Sequence, residues 1–139
     1  MVSVMKVLMI FQLIFIAALA FGCGTMHTRS ESKIVPIITF KQVAGKWEGL
    51  SRRMPDMRAH AQLVVVINDR GHFNFISDQR SGLLLGTGTL TIMNGQATGT
   101  TSSGIGTLTL HEKGGASVLV LEAALNDGNH YYVEMTQMK

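Results

Sequence analysis

The stretch GTGTLTI at residues 86–92 is repeated almost letter for letter as GIGTLTL at residues 104–110. In both copies glycine shares one strand face with leucine and isoleucine while threonine occupies the other, because successive side chains of a strand point to opposite faces. Glycine inside a strand is typical of a tight bend or a close backbone approach. The two copies start one hairpin length apart, so we predict two equivalent, coiled strands in an up-and-down antiparallel sheet.

The same alternation continues on both sides of the repeat. Residues 60–67 and 72–75 form a predicted hairpin about the turn at 68–71, and Asn94-Gly95 is the strongest short hairpin signal in the chain. Glycine-containing turns separate further predicted strands at 83–92, 96–101, 105–111, 118–123 and 130–136. Together with one strand after Trp47, about eight strands emerge, which predicts an all-β meander closing into a small barrel. Its predicted interior residues are Leu63, Val65, Phe73, Phe75, Leu90, Leu108, Leu119, Leu121, Tyr131 and Val133.

A short turn precedes the first long strand. Thr39 followed by Gln42 is the pattern of a capping box, and Gly45-Lys46-Trp47 comes directly after it. A helical turn leading into Gly-x-Trp and then a meander of about eight strands resembles the calycin architecture of lipocalins and their smaller relatives. In that family the tryptophan plugs one end of the barrel beneath a basic residue of the last strand, whereas here the last strand offers none before Lys139.

The first residues have the character of an export signal. Lys6 is followed by an apolar run over 7–20, which is long enough for a signal peptide and short for a membrane span. The run ends in Leu19-Ala20-Phe21-Gly22-Cys23, which resembles the lipobox of bacterial lipoproteins. That resemblance implies cleavage after Gly22, a lipid on Cys23, and a place in the cell envelope. Gly24 rather than aspartate after the cysteine favours the outer membrane in a diderm host. The alternatives are a plain secretory signal cleaved near Ala20 and an uncleaved N-terminal helix with an incidental cysteine.

These features divide the chain into a signal peptide at 1–22, a lipidated start and flexible tether at 23–33, and a barrel domain at 34–139. Cys23 is the only cysteine, so no internal disulfide can form. With 12 basic and 9 acidic residues the net charge is +3, a mild excess that argues against nucleic acid as a partner.

The sequence contains no motif that predicts an enzyme. The five histidines lack metal-ligand spacing, and the chain contains no Gly-x-Ser-x-Gly motif. Glu122 and Glu134 fall on the outer face of their strands, where they do not form a pair of general acids. We therefore expect no catalytic residue, no bound metal and no cofactor.

One loop concentrates charge: Arg52, Arg53 and Arg58 flank a segment with two methionines. Arginine beside adaptable methionine suits an anionic headgroup or an acidic partner, although a solvated loop has the same composition. Two hypotheses follow. The barrel encloses a small apolar ligand, or it is a rigid scaffold whose loops contact an envelope protein as an interaction or inhibitor-like lipoprotein. The residues expected to contact the ligand or partner are Arg52, Arg53, Arg58, Trp47, Phe73 and Phe75.

Overall fold

The computed structural model describes residues 31–77 and 86–139, and within them the chain is an all-β, antiparallel, nearly closed barrel. The predicted signal peptide, Cys23, the tether up to residue 30 and the start of the predicted strand at 83–85 lie outside the described residues. The strands are β1 (Ser32–Val35), β2 (Gly45–Arg53), β3 (Arg58–Ile67), β4 (His72–Ser77), β5 (Gly86–Thr89), β6 (Thr91–Met93), β7 (Gln96–Thr101), β8 (Gly104–Lys113), β9 (Ala116–Leu125) and β10 (His130–Gln137).

The ten described strands occupy eight positions around the barrel, in the order β5-β4-β3-β2-β10-β9-β8-β7-β6. β5 and β6 are the two halves of one strand that bends at Leu90, so that β5 pairs with β4 and β6 pairs with β7. Strand β1 pairs with the C-terminal end of β8, from Leu110 to Lys113, whereas β7 pairs with the N-terminal part of β8, from Gly104 to Leu108. The meander of about eight strands predicted from the sequence is therefore confirmed, with the bend and β1 as additions.

Glycine residues allow the strands to pack closely near the bend. A methyl group placed on Gly88 would lie 2.6 Å from the Phe73 ring and 2.9 Å from the Thr100 carbonyl oxygen, and one on Gly99 would lie 2.6 Å from the same ring. Phe73 thus packs directly against two backbone segments, which only glycine permits at these positions. The close approach predicted from the repeated stretch is present, and it fills the barrel where β5 and β7 meet.

One end of the barrel, which we call the plugged end, is covered by residues 36–44. The Ile37 N–H donates to the Gly95 carbonyl (2.9 Å), and the Phe40 ring lies against Gly71. A single 3-10 turn, Phe40–Gln42, crosses the end, where the Gln42 side-chain oxygen accepts the Thr39 N–H (2.9 Å). The Trp47 indole N–H donates to the Val43 carbonyl (2.8 Å), so the segment and the first long strand are tied together.

The opposite end, which we call the arginine end, carries the turns at 54–57, 102–103 and 126–129. Between the two ends, alternate residues of the long strands point inward, and most of them form the main buried cluster. All ten residues predicted to face the interior are at most 7% exposed. The prediction of the core is therefore confirmed, and the cluster also includes Ile37, Val43, Ala97, Leu110 and Met135.

Candidate functional site

The β2–β3 hairpin positions the three predicted arginines. Arg53 and Arg58 stand directly opposite each other on the two strands, while Arg52 pairs with Ala59 and points to the other face of the sheet. A shift in register between Leu50 and Arg52 precedes them, and the Ser51 hydroxyl bridges it by donating to the Ala61 carbonyl (2.8 Å). The hairpin thus brings Arg53 and Arg58 to the barrel mouth and directs Arg52 outward.

Arg53 is held by the neighbouring turn. Its Nη2 donates to the Asn129 side-chain oxygen (2.6 Å), and Asn129 in turn donates from its backbone N–H (2.9 Å) and its side-chain amide (2.8 Å) to Asp127. These two donors, with a smaller contribution from the Arg53 charge, lower the pKa of the exposed Asp127 carboxyl below its usual value. The guanidinium is therefore positioned by two residues, Asn129 and Asp127, of the single turn at 126–129.

Arg58 has a different partner. Its Nε lies 3.5 Å from the Asp56 carboxylate, and its side chain is 83% exposed, so the ion pair is weak and the guanidinium remains open to solvent. Directly opposed like charges destabilise a strand pair. Arg53 contacts Asn129 and Arg58 contacts Asp56, so each of the two opposed guanidinium groups has a polar partner of its own.

A cleft of about 420 Å³ opens between these groups. It is bounded by Arg53, Asp56, Arg58 and His60 together with Met54, Pro55 and Ala59. The His60 ring packs against the buried Tyr131 ring at a centroid distance of 5.4 Å. Two guanidinium groups and an imidazole around one cleft can bind an anionic group, and guanidinium is suited to carboxylate or phosphate because of its fork of donors.

The interior of the barrel is filled at its middle. A void able to hold water leaves accessible surface on its wall, yet Leu63, Val65, Leu108, Leu119 and Val133 are at most 2% exposed. This matches an eight-stranded barrel whose own side chains fill it.

The predicted aromatic contact residues belong to this packing. Phe73 and Phe75 are at most 7% exposed and meet edge to face at a centroid distance of 5.1 Å. Trp47 is 1% exposed and lies at the plugged end, where its register partner in the last strand is Gln137. The structure therefore brings Arg53 and Arg58 together but separates them from Trp47, Phe73 and Phe75.

A second surface feature was not predicted. A groove of about 550 Å³ crosses the outer wall over β8, β9 and β10, with Ile105, Glu122 and Tyr132 among its residues. The Tyr132 hydroxyl donates to Glu134 (2.9 Å), and partial burial, the Glu134 contact and the nearby Glu122 raise the pKa of Tyr132 to about 12. The sequence signal was the predicted outward position of Glu122 and Glu134, beside Tyr132.

Within residues 31–77 and 86–139 there is no group of three or more histidine, cysteine, aspartate or glutamate side chains that could hold a metal ion. His72, His111 and His130 lie on separate strands, and the nearest partners of His72 and His111 are hydroxyl groups of Thr89, Thr109 and Ser32. In the same part of the chain, no helix is long and apolar enough to cross a membrane.

No protein-family model matches the chain, and comparison with curated proteins and with solved structures finds no match. The fold class that the structure defines is an antiparallel, nearly closed β-barrel, compatible with a calycin-like architecture.

Proposed function

We propose that the chain is an exported lipoprotein, cleaved after Gly22 and carried on a membrane by lipid attached to Cys23. The support is the sequence: Lys6 in the first segment, an apolar run, and a lone cysteine directly after Gly22 at the end of that run. A protein with several acyl chains remains stably attached, whereas one chain binds only reversibly. The proposed location is the cell envelope, and in a diderm host the periplasmic side of the outer membrane.

For the barrel we propose a role as a rigid, calycin-type scaffold whose arginine end contacts an envelope protein, in the manner of an interaction or inhibitor-like lipoprotein. The observation that carries this proposal is the filled interior: Leu63, Val65 and Leu108 are at most 2% exposed, so little room remains there for an apolar ligand. The scaffold hypothesis is favoured over the carrier hypothesis for that reason.

The proposed contact is to an acidic segment of the partner. Arg53 is preoriented by Asn129, Arg58 is mostly exposed, and His60 completes the rim of the cleft. A preoriented guanidinium loses less side-chain entropy on binding a carboxylate than a mobile one. The chain enters the barrel at the plugged end, because β1 starts at Ser32 beside Lys113, so an anchor there leaves the arginine end free.

Anchorage is tested by replacing Cys23 with serine and following metabolic incorporation of palmitate. We expect the wild-type chain to be labelled and to fractionate with membranes, and Cys23→Ser to lose both properties. Ser32→Ala is the matched control, since it removes one small polar group of β1 and leaves the cysteine in place. Labelling that persists in Cys23→Ser would refute the lipid attachment.

The contact surface is tested by site-specific photo-crosslinking in intact cells. A photoreactive residue at Ala59, beside the cleft, is compared with one at Ile76, an exposed position on the wall of β4. We expect one discrete adduct from position 59 only, weakened at least about threefold by Arg58→Glu. Equal adducts from both positions, or a small apolar molecule retained by the purified protein in native mass spectrometry, would count against the scaffold proposal.

A further inference from the structure

The lysines of the described chain all lie at the plugged end. Lys41 is in the 3-10 turn, Lys46 is the second residue of β2, and Lys113 is the last residue of β8. Lys33 is in β1, and Lys139 follows Met138, whose N–H donates to the Lys46 carbonyl (2.8 Å). All five are exposed. The plugged end therefore carries these five lysines and also Arg70 of the β3–β4 turn, whereas Arg53 and Arg58 lie at the other end.

The most exposed large apolar side chains of the described residues are at the same end. Ile38 is 75% exposed, Met93 65% and Ile34 63%, while the other large apolar residues on the surface are at most 50% exposed. Ile38 and Met93 flank the point where the plug binds the β6–β7 turn, since the Ile37 N–H donates to Gly95. Exposed apolar side chains among lysines are typical of a surface that meets a bilayer interface.

The chain also reaches the barrel at this end. β1 begins at Ser32, which pairs with Lys113 beside the β8–β9 turn. Cys23 precedes Ser32 by nine positions, which even when fully extended span roughly 30 Å. A lipid on Cys23 would therefore keep the start of β1, and with it the plugged end, within roughly 30 Å of the membrane.

We propose that the plugged end docks on an anionic bilayer surface, with Ile34, Ile38 and Met93 entering the headgroup region and the lysines contacting lipid phosphates. The location rests on the proposed anchorage, whereas the surface itself rests on charge and exposure. The negative surface potential of an anionic membrane attracts lysine side chains that lie close to it. Glu31, Asp69 and Glu112 at this end offset part of the charge, and Lys113 lies 3.7 Å from the Glu134 carboxylate, so the apolar residues are needed as well.

Docking is tested with the full chain, purified with its anchor and reconstituted into vesicles of phosphatidylcholine alone or with about one third phosphatidylglycerol. Lysines are acylated with a water-soluble active ester, and arginines are modified with a dicarbonyl reagent, each read by mass spectrometry. We expect phosphatidylglycerol to slow acylation of Lys41 and Lys46 at least about threefold and to leave the modification of Arg58 unchanged. Equal lysine rates in both vesicles, or protection of Arg58 instead, would overturn the docking surface.

Two variants with the same chemical change sharpen the test. Ile38→Asp places a carboxylate in the proposed contact, and Ile76→Asp places one on the exposed wall of β4. We expect Ile38→Asp to abolish the phosphatidylglycerol-dependent protection and Ile76→Asp to retain it, with circular dichroism showing both folded. A chain that remains attached to vesicles while Ile38→Asp behaves as wild type refutes docking but not anchorage, whereas detachment of the wild-type chain refutes the anchorage.

Discussion

The two ends of the barrel are built from different chemistry. At the plugged end Ile37 and Val43 are fully buried, Trp47 is 1% exposed, and the hydrogen bonds that hold the segment join uncharged groups. At the arginine end the contacts join exposed polar side chains, Arg53 to Asn129 and Arg58 to Asp56. Burial stabilises a fold far more than exposed polar contacts do, so the plugged end carries stability and the arginine end is available for recognition.

The small apolar cluster at the arginine end fits this division. Ala61 and Tyr131 form a separate buried cluster with the partly buried Leu125, apart from the main core. The turn at 126–129 above it is held by Asp127 and Asn129. Loops on a well-packed frame can change without loss of the fold, which is the arrangement that binding proteins use.

The largest effect is expected from removing the aromatic side chain at the plugged end. Trp47→Ala deletes a fully packed indole and its bond to Val43, which costs about 3–5 kcal/mol of unfolding free energy. Tyr131→Ala at the arginine end removes a ring from the smaller cluster and should cost less. Urea unfolding followed by circular dichroism measures both. A larger loss for Tyr131→Ala would reverse the assignment of stability to the plugged end.

A smaller difference in unfolding free energy is expected between alanine substitutions at two glycines, one at each end of the barrel. Gly71 (φ +82°) and Gly128 (φ +85°) both adopt a left-handed backbone, but a methyl group on Gly71 would lie 2.7 Å from the Phe40 ring, and one on Gly128 meets nothing within 4 Å. Gly128→Ala should cost about 1–2 kcal/mol for the backbone alone. Gly71→Ala should cost about 1–3 kcal/mol more because it overpacks the plug.

The control for this pair is a double-mutant cycle. In a Phe40→Ala background the extra cost of Gly71→Ala should disappear, since the ring that it contacts is gone. The same background should leave the cost of Gly128→Ala unchanged. If the two glycine substitutions cost the same in the wild-type chain, the plug is not tightly packed against the β3–β4 turn.

The strands and the core could be predicted because their signals are local. Alternation places Leu63, Val65 and Phe73 on one face, and Asn94-Gly95 requires the left-handed backbone that the structure has, with φ of 55° and 78°. The glycines of the repeated stretch predicted close approach, although not which ring would lie against them. That ring, Phe73, comes from a different strand and depends on how the barrel closes.

The features that were not predicted depend on distant partners. The sequence predicts that Ser32 and Lys33 belong to the flexible tether, because they are polar, yet they form part of β1 by pairing with β8. The Ser32 hydroxyl is hydrogen-bonded to the His111 ring, which is 79 positions away in the sequence. The three arginines could be singled out because they lie close together in the sequence, but the link from Arg53 to Asn129 spans 76 positions. A single sequence carries no pattern for such pairs, since neither partner has a distinctive neighbourhood.

The smallest effect is expected from acid, and it should appear at the arginine end alone. The Asn129 donors and the Arg53 charge lower the pKa of Asp127, so the ionised carboxylate favours the folded turn above the unfolded pKa of 3.8, and this contribution is lost as the pH falls through the lowered value. Nuclear magnetic resonance of the carboxyl carbon should give a midpoint below 3.8, which Asn129→Ala moves upward more than Arg53→Gln does, because the amide donor is the larger of the two contributions. Over the same pH range the Trp47 indole signal should stay constant, since its bond to the Val43 carbonyl involves no ionisable side chain.

A midpoint at or above 3.8 for the Asp127 carboxyl would show that Asn129 is not anchored by Asp127. Arg53 would then lose the preorientation on which the proposed contact depends.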